Sequence, residues 1–125
     1  MTIFNKILKT KEFEKDFKKL LKRFKTLEKD LHDFIQIALK IFHKQGIDNG
    51  GIVRITQTNS ENPMIYKARK FACKALKGKG ARSGIRIIYS HCSEQDKIEF
   101  IEMYYKGDKE IEDKGRIEEY GGGII

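Results

Sequence analysis

At 125 residues, with 26 Lys and Arg against 18 Asp and Glu, the chain carries a formal net charge of +8. That length fits one domain with a two-layer core that needs no disulfide staples, and a hydrophobic content of 39% excludes a disordered polyelectrolyte. The longest apolar runs, such as Ile85–Tyr89 with its Arg86, are too short to cross a bilayer, and Met1–Lys6 has no apolar signal core, so a cytoplasmic protein is expected.

Phe4–Lys9 has the make-up of a short strand. Thr10 then stands as an N-cap, with Glu12 and Glu14 in the first turn, where acids suit the helix dipole. Apolar residues recur at Phe13, Phe17, Leu20, Phe24, Leu27, Leu31, Phe34, Ala38 and Ile41, and Leu21, Ile35 and Phe42 widen the stripe. Thr26, with Glu28 and Asp30 behind it, offers a second N-cap. The stripe is therefore expected to divide into two helices folded as a hairpin, with its apolar face read as core. Gly46 and Asp48-Asn49-Gly50-Gly51 end the helical region.

Beyond Gly51 the chain reads as strands. Ile52–Thr56 alternates and is β-branched, Asn59–Pro63 is a loop, and Ile65 to about Cys73 is a second strand. Lys77–Gly84 is a basic, glycine-rich connection to a third strand, Ile85–Cys92. Its GKG lacks the GxxxxGK[ST] frame of a phosphate-binding loop. Ser93–Asp96 turns into a fourth strand, Lys97–Lys106, which the short turn pairs with the third as an antiparallel hairpin. Lys109–Tyr120 is a polar helix or ragged tail, and 121–125 a flexible tail. The expected fold is α+β: an N-terminal helical hairpin on an antiparallel sheet of about four strands, with a C-terminal helical segment, in one domain over 1–120.

The charge is unevenly spread. Residues 1–45 hold twelve basic and six acidic side chains, 46–92 nine and two, and 93–125 five and ten. The middle third is a candidate surface for polyanions, most simply nucleic acid phosphates, with ordinary solvated lysine as the competing reading. Period-2 geometry sends Lys67 and Arg69 to one face of their strand and Arg86 to the face opposite Ile85 and Ile87. In the fourth strand Tyr104 and Lys106 share a face, with Tyr105 opposite. A sheet covered by helices on one side would then offer Lys67, Arg69, Arg86, Tyr104 and Lys106 on the other. Phe71 and Cys73 would fall on the Lys67 face, which calls for a bulge or a strand end near Lys70, and Ile98 and Phe100 likewise break the pattern by sitting on the Lys106 face.

Cys73 and Cys92 have neither CxxC spacing nor paired histidines nearby, so reduced thiols and no metal are expected. His32 and His43 lie off the helical stripe and read as surface residues. His91 adjoins Cys92 on a strand, where neighbours point to opposite faces, so the two do not form a nucleophile pair and Cys92 reads as a small buried thiol. His91 alone remains a candidate acid/base.

The run Tyr66-Lys67-Ala68-Arg69-Lys70-Phe71, then Gly84–Tyr89, then Ile98–Asp108, set behind a basic helical region, resembles the RelE/ParE superfamily of toxins from type II toxin–antitoxin systems. The resemblance spans about 4–116. It implies a metal-free, cofactor-free endoribonuclease that cuts mRNA on the ribosome and is held inactive by a wrapping antitoxin, in a heterotetramer. Carried over by position, Lys67 and Arg69 match the basic strand residues, Arg86 the central arginine that would stabilise phosphorane-like charge, and Lys106 the basic residue closing the last strand. Tyr104 or Tyr105 is the nearby aromatic. Lys70, Lys77, Lys79, Arg82 and Tyr105 are then expected RNA contacts. ParE-like relatives imply an alternative, a toxin that binds DNA gyrase without nuclease activity. A nontoxic RNA- or protein-binding relative is the third reading.

Overall fold

Thr10 does what its position foretells. In the computed structural model, which describes residues 3–55 and 63–120, its side chain accepts from the Phe13 amide at 3.1 Å and opens α1 (Lys11–Leu21). Just before it, Lys6–Lys9 forms β1. After α1 come α2 (Leu27–Asp33) and, without a break, a π-helical segment, Phe34–Lys44. β2 (Ile52–Arg54), β3 (Met64–Ala68), β4 (Ile85–Cys92), β5 (Lys97–Tyr105) and α3 (Lys114–Tyr120) complete the chain. Thr56, the expected loop residues Asn59–Asn62 and the expected tail 121–125 lie outside the described residues.

The sheet has five strands in the order β1-β5-β4-β3-β2 and is mixed, which corrects the expected antiparallel sheet of about four. The fifth strand is β1. It lies parallel beside β5 because the chain crosses from one edge of the sheet to the other through the helices. The helical hairpin is also corrected. Thr26 makes no side-chain cap; its hydroxyl bonds Asp30 at 2.7 Å and accepts from the Ala75 amide at 2.9 Å. Together with Asp30, which receives the Lys74 amide, it ties α2 to the β3–β4 connection. α1 thus packs on β5 more than on α2. Phe13 stacks on Phe100 of β5 at 5.2 Å, and Phe42 meets Tyr66 of β3 edge-on at 5.6 Å.

In the π-helical segment the buried positions are Phe34, Ile35 and Leu39, while Ala38 and Ile41 are only half-buried and Ile37 is exposed. An i→i+5 turn is wider than an α turn, so the 34-38-41 spacing read from the sequence drifts off the core.

β4 and β5 form the expected hairpin, with one irregularity. Ile88 pairs with Glu102 but Tyr89 with Phe100, so Ile101 is an extra residue, a β-bulge. The bulge flips the side-chain alternation. Before it Ile98 and Phe100 face the helices; after it Met103 and Tyr105 do. This accounts for the two residues of the last strand that broke the sequence pattern. On β3 the strand ends at Ala68, which releases Phe71 and Cys73 into the helix-side core.

The second sheet face is not open. Ile55, Ile65, Ile88 and Ile101 form a smaller core there under Ile117 of α3, which is fully buried. The Tyr120 hydroxyl clasps the same face, 2.7 Å from both Ser90 Oγ and Glu99 Oε1.

Candidate functional site

Three of the residues singled out in the sequence meet on the second face. Lys67 lies opposite Ile88 on β4, Ile88 opposite Glu102 on β5, and Arg86 directly opposite Tyr104. Antiparallel pairing places the end of β3, the start of β4 and the end of β5 at one end of the sheet. The basic cluster gathers there.

The Lys67 ammonium donates to Glu112 Oε1 at 2.8 Å, and the Tyr104 hydroxyl lies 3.4 Å from the same oxygen and in hydrogen-bonding reach of Lys67. Burial works to lower the Lys67 pKa, but Glu112 and Tyr104 outweigh it, and the pKa is raised above the ordinary lysine value. Lys67 is thus a fixed cation and not a base at neutral pH. Burial raises the Tyr104 phenol against the opposing pull of Lys67, so its proton stays available to donate. Glu112 is held below the usual carboxylate range: burial pushes it up, and the Lys67 ammonium prevails.

Arg86, half-buried, donates from its guanidinium to the Arg69 carbonyl at 2.8 Å. Arg69 and Lys70 are exposed just past β3 and bend back to the Gly50 and Asn49 carbonyls at 2.9 and 3.1 Å. Lys106 is exposed one residue past β5, its amide bonded to the Gly84 carbonyl. Gly84 has a φ of +91°, and a Cβ on Gly107 would stand 2.5 Å from the Tyr105 ring, so glycine is needed on both sides of that ring. Tyr105 itself faces the helices, packed on Phe24 at 5.1 Å, and does not join Tyr104. Lys77, Lys79 and Arg82 are exposed on the β3–β4 connection, which leaves and re-enters the sheet at this same end.

Sequence reasoning missed the acidic side of the cluster. Glu102, 1% exposed, accepts from the Asp113 amide at 2.8 Å and from the Lys109 ammonium, and so anchors the loop that carries Glu112. The excess of acids in 93–125 was the only signal for it.

The other polar cluster sits across the sheet. His43, expected at the surface, is walled by Phe42, Tyr66, Tyr89 and His91 and bonds the Tyr89 hydroxyl at 2.8 Å. His91 packs against it with the rings tilted by 34° and their centroids 4.1 Å apart, on the helix side, remote from Lys67 and Tyr104. Cys73 and Cys92 are both buried and unbridged. Among the described residues no His, Cys, Asp and Glu side chains are grouped as a metal site, and no helix is long and apolar enough to cross a membrane.

Two cations and a protonated phenol on one sheet face are groups suited to a phosphodiester: fixed positive charge for a phosphorane-like transition state and a donor for a leaving oxygen. The architecture bearing them, a mixed five-stranded sheet under N-terminal helices, is the RelE fold. No family model and no curated protein matches the chain. Among solved structures it is similar to the archaeal RelE–RelB complex from Pyrococcus horikoshii OT3, with a TM-score of 0.51 and 15% identity over 82% of this chain and 94% of that one.

Proposed function

We propose that this protein is the toxin of a toxin–antitoxin pair and a metal-independent endoribonuclease that cuts mRNA on the ribosome. The observation that carries this reading is the meeting of Lys67, Arg86 and Tyr104 on one face of a RelE fold. In the proposed reaction a 2′-hydroxyl, losing its proton to solvent water, attacks the adjacent phosphate as the P–O5′ bond breaks; Lys67 and Arg86 stabilise the charge that develops, and Tyr104 protonates the departing 5′-oxygen and is reprotonated from solvent. Arg69 and Lys106 add positive charge at the rim, and Lys70, Lys77, Lys79 and Arg82 hold the flanking RNA backbone by phosphate contacts. The neighbouring solved fold is that of a RelE–RelB complex, which supports an antitoxin partner for this chain. An acidic antitoxin segment over the basic end, in a heterotetramer, and a cytoplasmic location complete the proposal.

Induction in cells with subsequent pulse labelling separates this from gyrase inhibition. Amino-acid incorporation is expected to stop first, with thymidine incorporation declining later. Replication arrest that precedes any loss of translation would replace the nuclease reading with gyrase binding.

A further inference from the structure

We propose that Lys67 Nζ and the Tyr104 hydroxyl form the seat for an RNA phosphate, and that Glu112 occupies this seat in the free protein as an internal competitor. The inference rests on the reading of the chain as an RNA-binding toxin and assigns that site a built-in brake. A single carboxylate oxygen, Glu112 Oε1, receives both the ammonium at 2.8 Å and the phenol at 3.4 Å. A non-bridging phosphate oxygen asks for the same two donors. The pair is shielded, with side-chain exposures of 20% for Lys67 and 13% for Glu112, so RNA reaches Lys67 only by displacing the carboxylate.

The brake is separable from the scaffold that carries it. The arm over 109–120 is held by the buried Glu102 receiving the Asp113 amide, by Ile117 in the smaller core, by Arg116 on Asp16 at 2.7 Å, and by Tyr120 on Ser90 and Glu99. None of these involves Glu112. A half-buried ion pair adds little net stability, because desolvation offsets most of its attraction. The other contacts hold the arm without a carboxylate at this spot. A role as general base is also disfavoured, since an ammonium bond holds Glu112 in its weakly basic form.

The probe is a fluorescent single-stranded RNA with 2′-O-methyl groups throughout, which cannot be cleaved, titrated against full-length protein at moderate salt. Glu112→Gln is expected to bind about tenfold tighter than wild type. Adding Lys67→Met to it should remove the gain. Glu110→Gln, an equal charge change on an exposed neighbour, should stay within about twofold of wild type. Should Glu112→Gln melt below assay temperature, Glu112→Asp serves instead, keeping the charge but withdrawing the oxygens, with about a threefold gain expected. Affinity unchanged in the Glu112 variant, or matched by Glu110→Gln, or absent in every variant, overturns the proposal. Tighter binding by Glu112→Gln with no cleavage of ribosomal mRNA by any variant leaves the brake standing and removes the nuclease reading. Cleavage by wild type with no gain in Glu112→Gln does the reverse.

Discussion

Arg86 lies along the sheet with its guanidinium on the Arg69 carbonyl, opposite Tyr104 and outside both cores. Arg86→Ala is accordingly expected to cost less than about 1 kcal/mol in stability, as a lost exposed hydrogen bond does. Single-turnover cleavage should fall by about 10²–10³, the usual cost of removing one transition-state donor. A normal rate with a normal melting curve would take Arg86 out of the site. His43 gives the second residue-scale test. Its pKa is lowered from 6.5 to about 3, first by burial and then by His91 and Lys44. The unfolded chain therefore binds its proton first, and the stabilisation from neutral His43 is complete above pH 6.5 and lost as pH falls toward 3. His91 is lowered too, by burial with Lys44 against the opposing pull of Asp96, and acts in the same direction. Tyr66 and Tyr89, also against His43, stay neutral in this window because burial raises both. Urea midpoints should be flat from about pH 8 to 7 and fall steadily from about 6.5 to 4, with His43→Gln reducing the fall; an equal fall in that variant would contradict the assignment.

At the scale of elements, the parts legible in the sequence come from local periodicity. Thr10, two strands bounded by Gly84 and Ser93–Asp96, and the face of Lys67, Arg86 and Tyr104 all rest on period-2 or capping chemistry that acts within a few residues. Thr10→Ala should cost about 1 kcal/mol, read from urea unfolding; no change would mean that the cap hydrogen bond is idle. The position of the bulge at Ile101 and the docking of α3 were not legible, because each depends on a partner distant in sequence, and no residue of Phe34–Lys44 announces its i→i+5 turns. Lys67 and Glu112 stand 45 positions apart. In Lys114–Tyr120 only Ile117 and Tyr120, three residues apart, mark a buried side, too short a pattern to announce a lid on the second face. Ile117→Ala should cost about 2–4 kcal/mol and loosen the arm, measured as lost stability and faster amide exchange at Tyr120. Retained protection there would show that polar contacts alone hold α3.

For the whole molecule, the +8 conceals an arrangement: most cations of the middle third gather at one end of the sheet, and the acidic arm over 109–120 folds back onto its face. RNA binding should then be strongly salt-dependent. If about four of these side chains reach phosphates, the log–log slope of affinity against salt is about −3, and Arg69→Ala should make it about 0.7 shallower. A slope near zero would remove the phosphate-binding surface. The most direct measurement of the central claim is the mapping of mRNA 3′ ends after purified protein meets translating ribosomes, with naked mRNA and the Arg86→Ala variant alongside. New ends within the ribosome-bound codon, absent from both controls, are predicted. No new ends, or equal cleavage by Arg86→Ala, would contradict the nuclease assignment.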